Sequence, residues 1–221
     1  MSTLQGVIWD MDGVLVDSGE FHYQSWIATC KEYNIPFTYE LFRTTFGMNN
    51  TGVLTAVLGR PPEPQELEEI AGRKEACFRQ MVSGQIKPMP GVVDWLSQLQ
   101  TWGFRQAVAS SAPMANIEIL LEETGIGHYF NALLSGMDLP AKPDPTLFLK
   151  AAETIGAAPA DSVVVEDAIA GVQAAKRAGM ACIAVLTTNP AEALSQADVI
   201  TPRLDQLAVK TVRQLLSPFP I

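Results

Sequence analysis

Five short apolar runs recur along the chain, and their spacing limits the fold more than any other feature. They are residues 7–9 (VIW), 107–110 (AVAS), 132–135 (ALLS), 162–167 (SVVVED) and 181–186 (ACIAVL). Their apolarity is continuous rather than alternating, which suits strands covered on both faces, as in a parallel sheet. From Gly91 onward, segments of helical character separate them, at 92–102, 114–124, 145–155 and 168–178. Strand–helix alternation of this kind predicts an α/β fold with a doubly wound parallel sheet.

Between Ser18 and Gln85 the texture changes. No comparable apolar run occurs, and residues 20–33, 38–46, 51–58 and 63–82 all read as helices. Pro61-Pro62-Glu63-Pro64 is a turn feeding the last of these, with acids in its first turn. The Pro/Gly-rich stretch 83–91 (SGQIKPMPG) reads as a linker. The expected organisation is a catalytic α/β core formed by 1–16 and 87–221, with an all-helical cap domain, 17–86, inserted after the first strand. A chain of 221 residues accommodates both.

In open α/β sheets, ligands sit beyond the carboxyl ends of the strands. Asp10 and Asp12 follow the first run, Ser110 and Ser111 the second, Lys142-Pro143 the third, and Glu166 and Asp167 the fourth. Carboxylates this close raise one another's pKa, so four converging on one edge are unfavourable without a cation. A divalent ion of the Mg²⁺ kind, which takes oxygen ligands, makes the set sensible. One carboxylate can then attack phosphorus, and a second can protonate the leaving oxygen and activate water. The ammonium and hydroxyl neutralise the transferring phosphoryl group. Gly13 would permit a tight turn beside them. A calcium loop of the EF-hand kind does not fit, because Gly13 stands at the fourth position counted from Asp10, where the loop needs it sixth, and Val14-Leu15-Val16 follow it.

The order Asp10-x-Asp12-Gly13, Ser110, Lys142-Pro143, Glu166-Asp167-Ala168 with Gly171 resembles the haloacid dehalogenase-like superfamily of phosphotransferases. The helical insert resembles the cap of the subgroup that contains β-phosphoglucomutase and phosphoglycolate-type phosphatases. The resemblance implies that Asp10 is the nucleophile and a Mg²⁺ ligand. It makes Asp12 the general acid/base, with its backbone carbonyl facing the metal. Ser110 would bind the phosphoryl group, Lys142 would pair with nucleophile and phosphate, and Glu166 and Asp167 would hold Mg²⁺ directly or through water. His22 falls where the mutase-like members carry a histidine that assists proton transfer. Lys74 lies on the long cap helix, aimed at substrate or simply solvated. Ser111 either shares the phosphate or caps the next helix. Asp17 and Ser18 read as turn or hinge residues.

An acid at the second position favours a leaving alcohol over halides and phosphonates. The expected activity is therefore a phosphatase acting on a small phosphorylated metabolite. A β-phosphoglucomutase-type mutase is the alternative. It needs cations for a second phosphate, yet Asn50 stands where the mutase has arginine, and Ala112-Pro113 where it has serine and lysine. A non-catalytic binding protein on the same fold would have shed a charged position, and Asp10, Asp12, Lys142 and Asp167 are all kept. A net charge of −9 argues against nucleic acid or anionic membrane as partner. Cys30, Cys77 and Cys182 are isolated, which suits reduced thiols in the cytoplasm. Asp10 and Asp12 interrupt any leader-type apolar stretch. A monomer or weak homodimer is expected.

Overall fold

A computed structural model describes residues 4–216. After β1 (Gly6–Trp9) the chain passes through α1 (Gly19–Glu32), α2 (Tyr39–Thr45), α3 (Asn50–Leu58), α4 (Pro64–Glu66) and α5 (Gly72–Val82). It then alternates: α6 (Val92–Thr101), β2 (Arg105–Ser110), α7 (Met114–Thr124), β3 (Ala132–Ser135), α8 (Thr146–Thr154), β4 (Ser162–Glu166), α9 (Ile169–Arg177), β5 (Ala181–Val185), β6 (Val199–Thr201) and α10 (Thr211–Leu216). The six strands form one sheet in the order β3-β2-β1-β4-β5-β6, and every pairing is parallel. The doubly wound reading is correct. It lacked β6, whose three residues are too few to show a periodicity and become a strand by pairing Val199 with Ile183.

Successive strand residues face opposite sides of a sheet, and the core divides accordingly. Val7, Trp9, Val108, Val163, Val165 and Ile183 pack with residues of α6, α7 and α10. Ile8, Ala107, Ala109, Val164, Cys182 and Ala184 pack with residues of α8 and α9. Continuous apolarity in β1, β4 and β5 therefore records burial on both faces. The polar atoms drawn into this core are satisfied: Trp9 Nε1 donates to Gln106 Oε1 (3.1 Å), and Trp95 Nε1 to the Leu204 carbonyl (3.0 Å).

The helices between β1 and α6 have a small apolar cluster of their own, built from Trp26, Cys30, Val53, Leu54, Ile70 and Ala71. Phe78 and Val82, near the end of α5, belong to the sheet's cluster instead. The chain enters and leaves this helical block side by side: Val16 bridges Pro88, and the Met89 N–H donates to the Leu15 carbonyl (2.8 Å). The segment read as one helix, 63–82, is continuous but contains a π-helical stretch, Leu67–Ala71, between α4 and α5. Its start matches the sequence signal, with Pro64 in the first turn and the Glu66 carboxylate accepting from the Glu63 N–H (2.9 Å).

Candidate active site

The carboxyl end of β1 is extended by Asp10, whose N–H still donates to Val165 of β4 (3.0 Å). The chain then turns tightly, with the Gly13 N–H bonded to the Val16 carbonyl (2.8 Å) and the Leu15 N–H to that of Met11 (2.9 Å). Gly13 has φ +80°, and a Cβ there would overlap the Asp167 carboxylate. Both conditions demand glycine.

On one side of this turn lie Asp10, Glu166 and Asp167, all buried, each offering a carboxylate oxygen within 4.8 Å of the others. Lys142 Nζ donates to Asp10 Oδ1 (2.5 Å) and Glu166 Oε1 (2.7 Å). Burial, with Glu166 and Asp12 nearby, pushes the Asp10 carboxyl up to about 7 against the pull of Lys142. Asp167 is raised for the same reasons, burial first and then Glu166 and Asp10. Burial alone would lower Lys142, but Asp10 and Glu166 more than offset it and hold the ammonium charged. One ammonium among three carboxylates leaves this corner too negative. Thr188 Oγ1 donates to Asp167 Oδ2, and Asn189 Nδ2 to the Asp167 carbonyl (3.0 Å).

Glu166 is 1% exposed and fully engaged. Its Oε2 accepts from the Asp167 and Ala168 N–H groups, both at 2.7 Å, and its Oε1 from Lys142. Gly171 makes room for it, since a Cβ there would overlap the carboxylate. Gly171→Ala is expected to cost about 1–3 kcal/mol through overpacking, a fall of several degrees in Tm, with loss of the Lys142 position. A wild-type Tm would show that the site relaxes around the methyl group.

On the other side stands Asp12, apart from that acidic trio. Ser18 Oγ donates to its Oδ1, and His22 Nε2 lies 3.1 Å from the same oxygen. Lys74 Nζ lies 2.8 Å from His22 Nδ1. An ammonium only donates, so Nδ1 accepts and Nε2 carries the proton given to Asp12. Burial would raise the Asp12 carboxyl, but His22 and Ser18, with Lys74 behind, bring it below its ordinary value. Two aspartates two residues apart are thus driven in opposite directions.

A cavity of about 50 Å³ joins the two sides, lined by Asp10, Asp12, His22, Lys74, Ser110 and Asn50 among others. Asp10, Asp12, His22, Asn50, Lys74, Ser110 and Ser111 line it, while Lys142, Glu166 and Asp167 gather around Asp10. Lys74 is 2% exposed, so the solvated-helix reading fails. Ser110, 1% exposed at the end of β2, accepts from the Ala112 N–H (3.1 Å). Ser111 lines the cavity and does not cap α7, which begins after Pro113 without a side-chain cap. Ser18 is not a bare hinge residue: it is buried on Asp12. Thr188 and Asn189 were missed although they follow β5 at the same sheet edge, where the strand-end rule would have found them. Glu75 and Asn116 were missed because each sits within a helix whose facing is set by tertiary packing.

The family model described as haloacid dehalogenase-like hydrolase matches residues 7–185. This chain belongs to the haloacid dehalogenase-like hydrolases. Among curated relatives, β-phosphoglucomutase of Bacillus subtilis (strain 168) is 29% identical over 220 residues, covering 96% of this chain and 95% of that protein. The chloroplastic 5-amino-6-(5-phospho-D-ribitylamino)uracil phosphatase of Arabidopsis thaliana is 27% identical over 213 residues, 95% of this chain, which spans 57% of that protein's length. The crystal structure of β-phosphoglucomutase from Clostridium difficile superimposes with a TM-score of 0.86 at 21% identity, covering 96% of this chain and 97% of that one. The family's fold is the six-stranded parallel sheet with flanking helices seen here. Among the described residues, no helix is long and apolar enough to cross a membrane.

Proposed function

We propose that this chain is a Mg²⁺-dependent phosphatase that hydrolyses a small phosphorylated metabolite, of the sugar-phosphate or phosphoglycolate kind, through an aspartyl-phosphate on Asp10. The observation that carries this reading is the divided environment of Asp10 and Asp12: one beside an ammonium and two acids, the other beside hydroxyl and imidazole donors. The acidic trio fits a hard divalent ion, because its donors are carboxylate oxygens and its charge exceeds what Lys142 offsets. Asp10, Glu166 and Asp167, with the Asp12 backbone carbonyl, would hold Mg²⁺, which when bound neutralises charge on the phosphoryl oxygens.

Asp10 attacks phosphorus in line, and the bond to the ester oxygen breaks. Lys142 and Ser110 orient the phosphoryl group. Asp12 rests as a carboxylate; an arriving phosphate dianion raises its affinity for a proton, which it takes from solvent water before the site closes. That proton passes to the departing alkoxide. Asp12 then removes one from the water that cleaves the acyl phosphate, and His22 Nε2 and Ser18 hold its oxygen in place between the steps. A cavity of about 50 Å³ holds a few water molecules and no sugar phosphate. Residues 17–86 therefore act as a cap that swings away to admit substrate and closes to exclude water.

The test is a screen of sugar phosphates, phosphoglycolate and nucleotides with Mg²⁺, with release of inorganic phosphate expected from at least one class. No release from any ester would overturn the reading. The similarity to β-phosphoglucomutase supports a mutase as second reading; conversion of β-glucose 1-phosphate to glucose 6-phosphate without phosphate release would establish it. Asp12→Ala is expected to slow turnover by about 10²–10⁴-fold. The loss should be larger for an alkyl phosphate than for p-nitrophenyl phosphate, whose leaving group needs no proton. Equal losses on both would remove Asp12 from the proton-transfer role.

A further inference from the structure

The wall of the cavity contributed by α5 carries a charge that the reaction itself does not use. Glu75 is 5% exposed and lines the same cavity as Asp10 and Asp12. It is held from two sides. Lys74 Nζ donates to its Oε1 (3.0 Å) and Asn116 Nδ2 to its Oε2 (2.5 Å). Asn116 is fully buried on α7 and is itself fixed by Arg79 Nη1 at its Oδ1 (2.9 Å). With the cap closed, the carboxylate is therefore anchored to both the helical block and α7 of the sheet domain, and it faces whatever ligand the closed site holds.

Among the described residues, Lys74 is the one Lys or Arg that lines this cavity. Its charge is already matched by Glu75. The rest of that wall offers neutral groups: Thr45, Asn49 and Asn50, beside Phe42, Phe46 and Met48. A carboxylate accepts hydrogen bonds and gives none, so it welcomes a hydroxyl and repels a phosphate. A like charge brought against it inside a desolvated wall is strongly disfavoured.

We infer that Glu75 is a specificity-determining residue that restricts the part of the substrate remote from the scissile phosphate to a neutral, hydroxyl-bearing group and rejects a second phosphate. This rests on the phosphatase reading and narrows it to monophosphate esters of polyols or sugars. Lys74 then serves the His22–Asp12 pair rather than a distal phosphate.

The experiment compares kcat/KM of the full chain with Mg²⁺ for glucose 6-phosphate and fructose 6-phosphate against the corresponding 1,6-bisphosphates, with p-nitrophenyl phosphate as a common reference. The wild type is expected to favour the monophosphates by ~10²-fold or more. Glu75→Gln keeps the shape and one accepting oxygen, gives up one of the two hydrogen bonds and drops the charge, and should cut that preference by about 10-fold or more. Asn50→Arg adds a cation at a half-buried position on the same wall, and should shift the ratio in the same direction without touching Glu75's fold contacts on α5. A purely structural role for Glu75 would lower all rates together and leave the ratio unmoved. Equal wild-type efficiency on mono- and bisphosphates, or an unchanged ratio in both variants, overturns the inference alone. Absence of turnover on every ester, p-nitrophenyl phosphate included, removes the phosphatase reading and this inference with it.

Discussion

Asp10→Asn leaves no Mg²⁺-dependent hydrolysis of p-nitrophenyl phosphate above background, a loss on the order of 10⁴-fold or more, as when a covalent nucleophile is removed. Asparagine has the shape of aspartate and fits the same buried corner, so packing around Val165 and Lys142 persists. What disappears is the oxygen nucleophile and one negative charge. Lys142 keeps its second partner, Glu166, at 2.7 Å. Removing one of three crowded carboxylates also relieves repulsion in the metal-free protein. The variant should therefore unfold at a Tm no lower than the metal-free wild type, which separates lost chemistry from lost structure. Retained turnover would exclude Asp10 as the nucleophile. A collapse in Tm would show that its ion pair with Lys142 holds the fold.

Chelation with EDTA is expected to abolish turnover to the same extent, and excess Mg²⁺ to restore it. The physical ground is charge balance: Asp10, Glu166 and Asp167 lie within 4.8 Å of one another around a single ammonium, and a phosphate dianion must enter beside them. Without a cation that encounter is repulsive. A second readout does not depend on activity. An ion that binds only the folded state stabilises it by about 2.7 kcal/mol at a hundred times its Kd, which a thermal melt detects as a rise in Tm. Asp167→Asn should weaken both the Tm rise and the Mg²⁺ activation. Full activity in EDTA, or a Tm indifferent to Mg²⁺, would dismiss the trio as a metal site and leave Lys142 as the main counter-charge.

The strand ends were readable because each follows a run whose apolarity is continuous, and because parallel strands present their carboxyl ends on one edge. That reasoning located Asp10, Asp12, Ser110, Lys142, Glu166 and Asp167, and the structure gathers them there. The same rule applied to β5 would have added Thr188 and Asn189. β6 escaped because three residues have no period to read, and the pairing with β5 alone makes them a strand. Ser18 looked like a turn or hinge residue, since a serine after an aspartate is common turn chemistry; only the folded turn aims its hydroxyl at Asp12.

The sequence by itself determined five of the sheet's six strands, the helical insert, the family and the identity of the charged groups at the strand ends, because burial on two faces and strand–helix alternation are written locally in residue order. Tertiary structure alone decided how those charges differ. Asp10 and Asp12 are two residues apart and chemically identical, yet one is pushed up by burial among acids and the other brought down by His22, Ser18 and Lys74. It also decided that Lys74 is buried and that Glu75 is anchored by Asn116 from 41 residues away. The reason is electrostatic: a group's proton affinity is set by the charges and the water displaced within a few ångströms of it. Those neighbours come from α1, α5, α7 and four different strand ends, and are brought together only by the fold.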